Sequence, residues 1–401
     1  MSLPTDESTE QKTGLLPPDD RWSSSVIRDL LAQARRPDVL SLAGGLPAEE
    51  LIPQERVQNA MNQVVTIWGA QCLQYGLTAG EPVLAEAIAA RSPRPGASPD
   101  NILITAGSQQ ALDLIARAFS VVTDDVAPIV AIEDPGYLGA VQVLRANGYQ
   151  LVGIPVDADG IQVDVLAERL AGGLRPRLVY VNPSFQNPTG ACLSQARAAR
   201  LVELAERYGF LLIADDPYVE LYLSGDRPLP LPASANVAYL GSTSKVIAPG
   251  LRIGWLDAAP DIVGRVALAK QAADLQTATF NQLLVAEVLS DSRWWDAHLA
   301  GLRAGYRMRR DALANAISTH LPTATVTPQR GGFFFWVALD RPVDVRSLLT
   351  AALDSGVAFV PGDAFAVDTP LTGTIRLSYS NGDPLTYDEA LRRLALAYAR
   401  L

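Results

Sequence analysis

Through the middle of the chain, apolar residues follow two alternating periods. Short runs at 102–105, 128–133, 151–155, 177–181, 210–214, 237–241 and 252–256 are apolar at consecutive positions, the mark of strands buried on both faces. Between several of them the period lengthens to that of an amphipathic helix, over 108–119, up to Ala146 and over 195–208. Strands separated by such helices predict an α/β fold: a mostly parallel, seven-stranded sheet covered on both faces. From about Asp291 the pattern changes to a long helix reaching Ser318. A strand follows over 333–339, a helix over 345–355, short strands over 357–360 and 374–378, and a last helix from Pro384. This is the pattern of a smaller α+β domain at 291–401, after a large domain at 56–290. Residues 1–21 are polar and proline-containing, with no apolar signal-like stretch, and read as a flexible arm.

The polar and glycine clusters fall just after the predicted strands. They are Gly107-Ser108-Gln109, Asp134-Pro135-Gly136-Tyr137, Asn187-Pro188-Thr189-Gly190, Asp215-Asp216-Pro217-Tyr218 and Ser242-Thr243-Ser244-Lys245. Ligands of open α/β sheets bind at the carboxyl ends of the strands, so these residues are expected to converge on one edge.

Composition removes several alternatives. The 401 residues are 48% hydrophobic with a net charge of −10, which fits a globular chain and gives no basic face for nucleic acid. The longest apolar run, near 333–339, is far too short to span a membrane. Cys72 and Cys192 lack metal-ligand spacing, and two thiols in so long a chain suggest a reducing compartment, hence the cytoplasm. No metal site is expected. His298 and His320 lie in the helical stretch after the large domain and read as surface or packing residues. Lysine occurs only at 12, 245 and 270, arginine serving elsewhere as the surface cation. A lysine kept among small hydroxyl residues therefore stands out.

Lys245 follows a strand, and Arg252 lies seven residues on. An amine that forms a Schiff base must lose its proton near neutral pH, and burial beside a cation lowers its pKa. Arg252 can supply that charge while gripping a phosphate through two hydrogen bonds. Asp215, at the end of another strand, suits the protonated ring nitrogen of pyridoxal 5′-phosphate (PLP), keeping the ring an electron acceptor. Tyr218 then reaches the ring oxygen. Gly107-Ser108-Gln109 opens a helix whose free N–H groups favour a phosphate. Tyr137 offers an aromatic face for stacking.

Together these motifs resemble the class I/II aminotransferases of PLP fold type I, from Trp22 to the C-terminus. They are N-P-T-G at 187–190, D-x-P-Y at 215–218, S-x-S-K at 242–245, Arg252, and I-R-L-S at 375–378. The resemblance implies that Lys245 carries PLP as a Schiff base, Asp215 meets the pyridine nitrogen, and Asn187 and Tyr218 bond the phenolic oxygen. It implies that Tyr137 stacks on the ring, while Gly107, Ser108, Gln109, Ser242, Ser244 and Arg252 form the phosphate site. Tyr75 matches a tyrosine that reaches the phosphate of the neighbouring subunit, which implies a homodimer with shared active sites. Arg376 matches the arginine that binds the substrate α-carboxylate. Ser25-Val26-Ile27-Arg28 and Ser41-Leu42-Ala43-Gly44-Gly45-Leu46-Pro47 resemble the 2-aminoadipate and kynurenine aminotransferase subgroup. There the segment matching 22–55 joins the small domain and lines the substrate pocket, which brings Gly45 and Arg28 to the substrate. Arg330-Gly331-Gly332-Phe333 and Val360-Pro361-Gly362 fit the small domain of the family. Thr243 departs from the pattern, an aromatic residue being common at that position.

The expected activity is PLP-dependent transamination between an L-amino acid and a 2-oxo acid, with glutamate and 2-oxoglutarate as one pair. The other amino acid is 2-aminoadipate-like, aromatic, or an unusual one of peptide natural-product biosynthesis. The same cofactor residues also serve oxidative deamination, elimination and decarboxylation. A non-catalytic PLP-sensing regulator needs a DNA-binding domain, and about twenty residues before Trp22 are too few for one.

Overall fold

The structure is a computed structural model that describes residues 36, 38–94, 96–120 and 127–401. Arg28, Trp22 and the 1–21 arm lie outside the described residues. The chain opens with β1 (Leu40–Ser41), α1 (Gln54–Trp68) and α2 (Pro82–Ala89). The central sheet is then built from β2 (Ile102–Thr105), β3 (Ile129–Asp134), β4 (Gln150–Asp157), β5 (Gly160–Ile161), β6 (Leu178–Val181), β7 (Leu211–Asp215), β8 (Val237–Ser242) and β9 (Gly254–Asp257). Their order is β2-β9-β8-β7-β6-β3-β4-β5. The expected seven strands are present, and the two-residue β5 folds back antiparallel on β4 as an eighth. β9 runs antiparallel to both β8 and β2, while β8, β7, β6, β3 and β4 are mutually parallel.

The continuous apolar runs follow from burial on both faces. Along β6, Leu178 and Tyr180 pack into one core with Leu103, Ile132 and Ile213, while Val179 and Val181 pack into another with Leu212 and Ala214. The first core is roofed by α3 (Ser108–Phe119), α4 (Leu138–Ala146) and α7 (Pro260–Ala273), the second by α5 (Val163–Ala171) and α6 (Gln195–Tyr208). At the Ile102 edge, α8 (Thr279–Leu289) packs against α1 and α2.

After α8 come α9 (Ser292–His320), β10 (Thr325–Val326), β11 (Phe334–Ala338), α10 (Val345–Asp354), β12 (Val357–Ala358), β13 (Val360–Pro361), β14 (Thr374–Ser378) and α11 (Tyr387–Ala399). A four-stranded antiparallel sheet runs β10-β11-β14-β13. The stretch expected as one strand at 357–360 is two, because its halves serve different partners. Val357 and Ala358 pair in parallel with β1, whereas Val360 and Pro361 pair with β14. The early β1 thereby delivers Gly44 and Gly45 to the edge of this second sheet. Among the described residues, no helix is long and apolar enough to cross a membrane.

Candidate active site

The carboxyl ends of β2, β3, β6, β7 and β8 open on one cavity of about 460 Å³. The sequence-predicted Ser108, Gln109, Tyr137, Asn187, Asp215, Tyr218, Ser242, Ser244, Lys245 and Arg252 line it, together with Gly45 and Arg376 from the second sheet's side. Gly107 sits directly behind Arg252. Tyr75 does not line this cavity; it is 81% exposed.

Lys245 directly follows Ser244, whose hydroxyl lies 2.9 Å from that of Ser242. Its ammonium donates to the Gly45 carbonyl at 3.2 Å and lies 5.7 Å from the Phe333 ring centre. Burial lowers its pKa to about 8, helped by the positive charges of Arg252 and Arg376 and opposed by Asp215. A lysine in this state supplies a free amine close to neutrality.

Asp215, the last residue of β7, is 4% exposed. Tyr180, one strand over, donates to its Oδ2 at 2.8 Å, and Asn182 donates to its backbone carbonyl. Burial raises its pKa to about 6, while the Tyr180 hydrogen bond, the nearby Ser108 hydroxyl and the Lys245 charge pull it back. Its Oδ1 is buried without a partner, an acceptor that the pyridinium N–H of PLP would satisfy. Asp216 faces the other way. It lines a separate small cavity and accepts from the Tyr239 hydroxyl at 3.4 Å.

The phosphate end is shaped by two glycines. A Cβ on Gly107, whose φ is +90°, would lie 2.6 Å from Arg252 Nη2, and one on Gly254 would lie 2.6 Å from Ser108 N. Only glycine lets the guanidinium and β9 press against the start of α3, where free N–H groups favour an anion. Arg252 Nη2 donates to the Ala106 carbonyl at 2.9 Å. Thr243 turns away from the cavity, its hydroxyl donating to the Ile253 carbonyl at 3.1 Å, which ties β8 to β9.

Arg376 on β14 is 3% exposed. It donates to Asn187 Oδ1 and to the Ala43 carbonyl, both at 2.8 Å, and lies 4.0 Å over the Phe334 ring. Burial lowers its pKa to about 10, which leaves it a cation at neutral pH, and its Nε has no partner. The set of a lysine with a lowered pKa, a buried carboxylate with one free oxygen, a glycine-lined arginine and a second buried arginine fits PLP and a carboxylate-bearing substrate.

Several participants escape sequence reasoning. Tyr180 sits in an apolar strand, where its only signal was a hydroxyl that must find a partner when buried. Glu133 is buried at the end of β3 and accepts from Asn182 N at 3.1 Å and Gln186 Nε2 at 3.2 Å, which ties it to the 187–190 turn. Burial raises its pKa to about 8. Asn182 Oδ1 in turn accepts from Asn187 N at 2.9 Å. Leu46, Leu138, Gln142 and Phe334 complete the cavity wall. The histidines stay outside it: His298 stacks on Trp294 with ring centres 4.8 Å apart, and His320 meets Asp388 at 2.8 Å.

Comparison with known proteins agrees with this geometry. The family model for aminotransferase class I and II matches residues 37–394. An aromatic-amino-acid aminotransferase of Thermococcus litoralis is 38% identical over 93% of this chain and 91% of its own. A 2-aminoadipate transaminase of Thermus thermophilus is also 38% identical, over 94% of each chain. The crystal structure of the α-aminoadipate aminotransferase of Thermus thermophilus, complexed with N-(5′-phosphopyridoxyl)-L-leucine, superposes with a TM-score of 0.86 at 36% identity, covering 95% of this chain and 96% of that one. The chain therefore belongs to the class I and II aminotransferases, PLP-dependent enzymes of fold type I.

Proposed function

We propose that the enzyme exchanges an amino group between an L-amino acid and a 2-oxo acid. Glutamate and 2-oxoglutarate form one pair, and an aromatic or 2-aminoadipate-like amino acid belongs to the other. The observation that carries this reading is the meeting of Lys245, Asp215 and Arg376 in one cavity. PLP, when bound, supplies an electron sink for the charge that develops at the substrate Cα. Asp215 holds the ring nitrogen's proton through its free Oδ1, while Asn187 and Tyr218 hold the phenolic oxygen and Tyr137 covers the ring. Gly107, Ser108, Gln109, Ser242, Ser244 and Arg252 hold the phosphate. Arg376 fixes the α-carboxylate and so orients the Cα–H bond. Lys245 would anchor the cofactor, and its Nζ would carry the proton between the substrate Cα and the cofactor carbon.

The wall around the substrate side chain is neutral. Apart from Lys245, Arg252 and Arg376, no cation lines the cavity among the described residues. That favours an aromatic or other neutral side chain; a distal carboxylate calls for Arg28. A screen of amino donors against 2-oxoglutarate, read as glutamate formed, tests the assignment. The account expects aromatic donors among the best, and no glutamate from any donor contradicts it.

The proposal extends to a homodimer, with 291–401 as its smaller domain in each subunit. Tyr75 supports it, lying exposed between Leu73 and Leu77, which are 78% and 58% exposed. Mixing Tyr75→Ala and Lys245→Ala chains should restore activity above either parent, one intact composite site forming per mixed dimer. Verified mixed dimers without that gain contradict sharing. The free thiols Cys72 and Cys192 support a cytoplasmic setting.

A further inference from the structure

Lys270 is one of three lysines in the chain, and it is fully buried. It lies outside the cavity, in the last turn of α7. Its Nζ donates to both oxygens of Asp274 at 2.9 and 3.0 Å and to Gln110 Oε1 at 3.2 Å. The other end of the same amide, Gln110 Nε2, donates to Asp274 Oδ2 at 2.6 Å. Gln110 Oε1 also accepts the backbone N–H of Ala106 at 2.7 Å. The carbonyl of Ala106 is the group that receives Arg252 Nη2.

The chemistry of these contacts fixes a direction. An ammonium only donates and a carboxylate only accepts, so Lys270 and Asp274 together determine which end of the Gln110 amide is oxygen. Were the amide reversed, its NH₂ would face two donors, the ammonium and the Ala106 N–H, and its oxygen would face a carboxylate. With the amide held, Ala106 N–H is satisfied from behind, and its carbonyl stays turned to Arg252. The segment after Lys270 adds support: Thr277 Oγ1 donates to the Ile104 carbonyl at 3.2 Å and Asn281 Nδ2 to the Leu251 carbonyl at 3.1 Å. Both carbonyls are next to or near the residues of the phosphate end. A purely structural lysine needs only its carboxylate; here the ammonium also meets an amide that leads to the loop.

We propose that Lys270 is a positioning residue for the cofactor phosphate, acting through the Gln110 amide and the backbone of Ala106, whose two successive peptide units meet Gln110 and Arg252, on Arg252 and the start of α3. The proposal rests on the reading that this loop and Arg252 hold the phosphate. It makes Lys270 important for PLP and unimportant for pyridoxal, which lacks the phosphate but offers Asp215, Tyr218, Asn187 and Lys245 the same ring.

The test is titration of the cofactor-free full-length protein with PLP and, separately, with pyridoxal, followed by absorbance. In Lys270→Met the dissociation constant for PLP should rise about tenfold or more, the scale of one charge-assisted contact, while that for pyridoxal stays within about twofold. Gln110→Ala, which leaves the Lys270–Asp274 pair intact, should show the same selectivity. The double variant should be no worse than Gln110→Ala, because residues acting through one route do not add. Equal weakening of both ligands, no weakening of PLP, or a selective loss in Lys270→Met without one in Gln110→Ala overturns the proposal. If Lys270→Met does not fold, Gln110→Ala decides the matter alone. Arg252→Ala separates the two layers. If it does not selectively weaken PLP, the phosphate reading itself fails; if it does while Lys270→Met and Gln110→Ala do not, only the role of Lys270 fails.

Discussion

The two halves of the active site are assembled differently. The proposed cofactor half comes from strand ends of one sheet: Ser108 after β2, Asn187 after β6, Asp215 on β7 and Lys245 after β8. Side chains also tie adjacent strands, as Tyr180 on β6 is tied to Asp215 on β7. The proposed substrate half joins pieces remote in sequence, Gly45 after β1, Phe334 on β11 and Arg376 on β14. Its fit depends on β1 pairing with β12 and on Arg376 bridging Asn187 and the Ala43 carbonyl. In the proposed reading, chemistry common to every substrate draws on both halves, through Lys245 and Asp215 on the large sheet and Arg376 on the second. Discrimination between substrates would then fall to the remaining segments around Gly45 and Phe334, which a few substitutions can reshape.

The largest effect is expected at the centre of the cofactor half. Lys245→Ala should abolish turnover, and activity near that of the wild type contradicts the account. Asp215→Ala should still bind some PLP yet lose at least about two orders of magnitude in rate, comparable to losing a positioned electrostatic group. Asp216→Asn is the matched control, since its side chain turns to Tyr239. Equal losses in the two variants erase the distinction drawn between the carboxylates.

The substrate half should respond by pattern rather than size. Arg376→Ala should depress kcat/KM for all amino acids by about 1.5–3 kcal/mol, roughly tenfold to a hundredfold. Arg28→Ala should penalise glutamate more than a neutral amino acid. An equal loss for both substrates in Arg28→Ala leaves Arg28 a structural residue.

A smaller, pH-dependent effect links the halves. Only the neutral amine of Lys245 captures PLP, so capture by the cofactor-free protein should accelerate as pH rises through about 8 and level off above it. Arg376 is one of the cations holding that pKa down. Arg376→Ala should therefore move the midpoint upward, measured by stopped-flow absorbance. A downward shift contradicts the electrostatic role.

The same contrast explains what was legible in the sequence. The cofactor half is written in contiguous motifs, because a strand end followed by a loop places neighbouring residues in one place. Strand β2, helix α3 and helix α6 fall where the periodicity puts them. The two-way pairing of 357–361 was hidden, because an apolar run does not say which neighbour each residue will bond. Tyr180, Glu133 and Asn182 were hidden for a related reason: their roles exist only across strands. Lys270 carried a signal, a lysine in a chain that otherwise uses arginine, but its partner Gln110 is 160 residues away.

The most direct test of the central claim is borohydride reduction of the protein loaded with PLP, followed by peptide mapping by mass spectrometry. The account predicts one phosphopyridoxyl adduct per chain, on the peptide containing Lys245 and absent from Lys245→Ala. An adduct on Lys270 or Lys12 instead would contradict it.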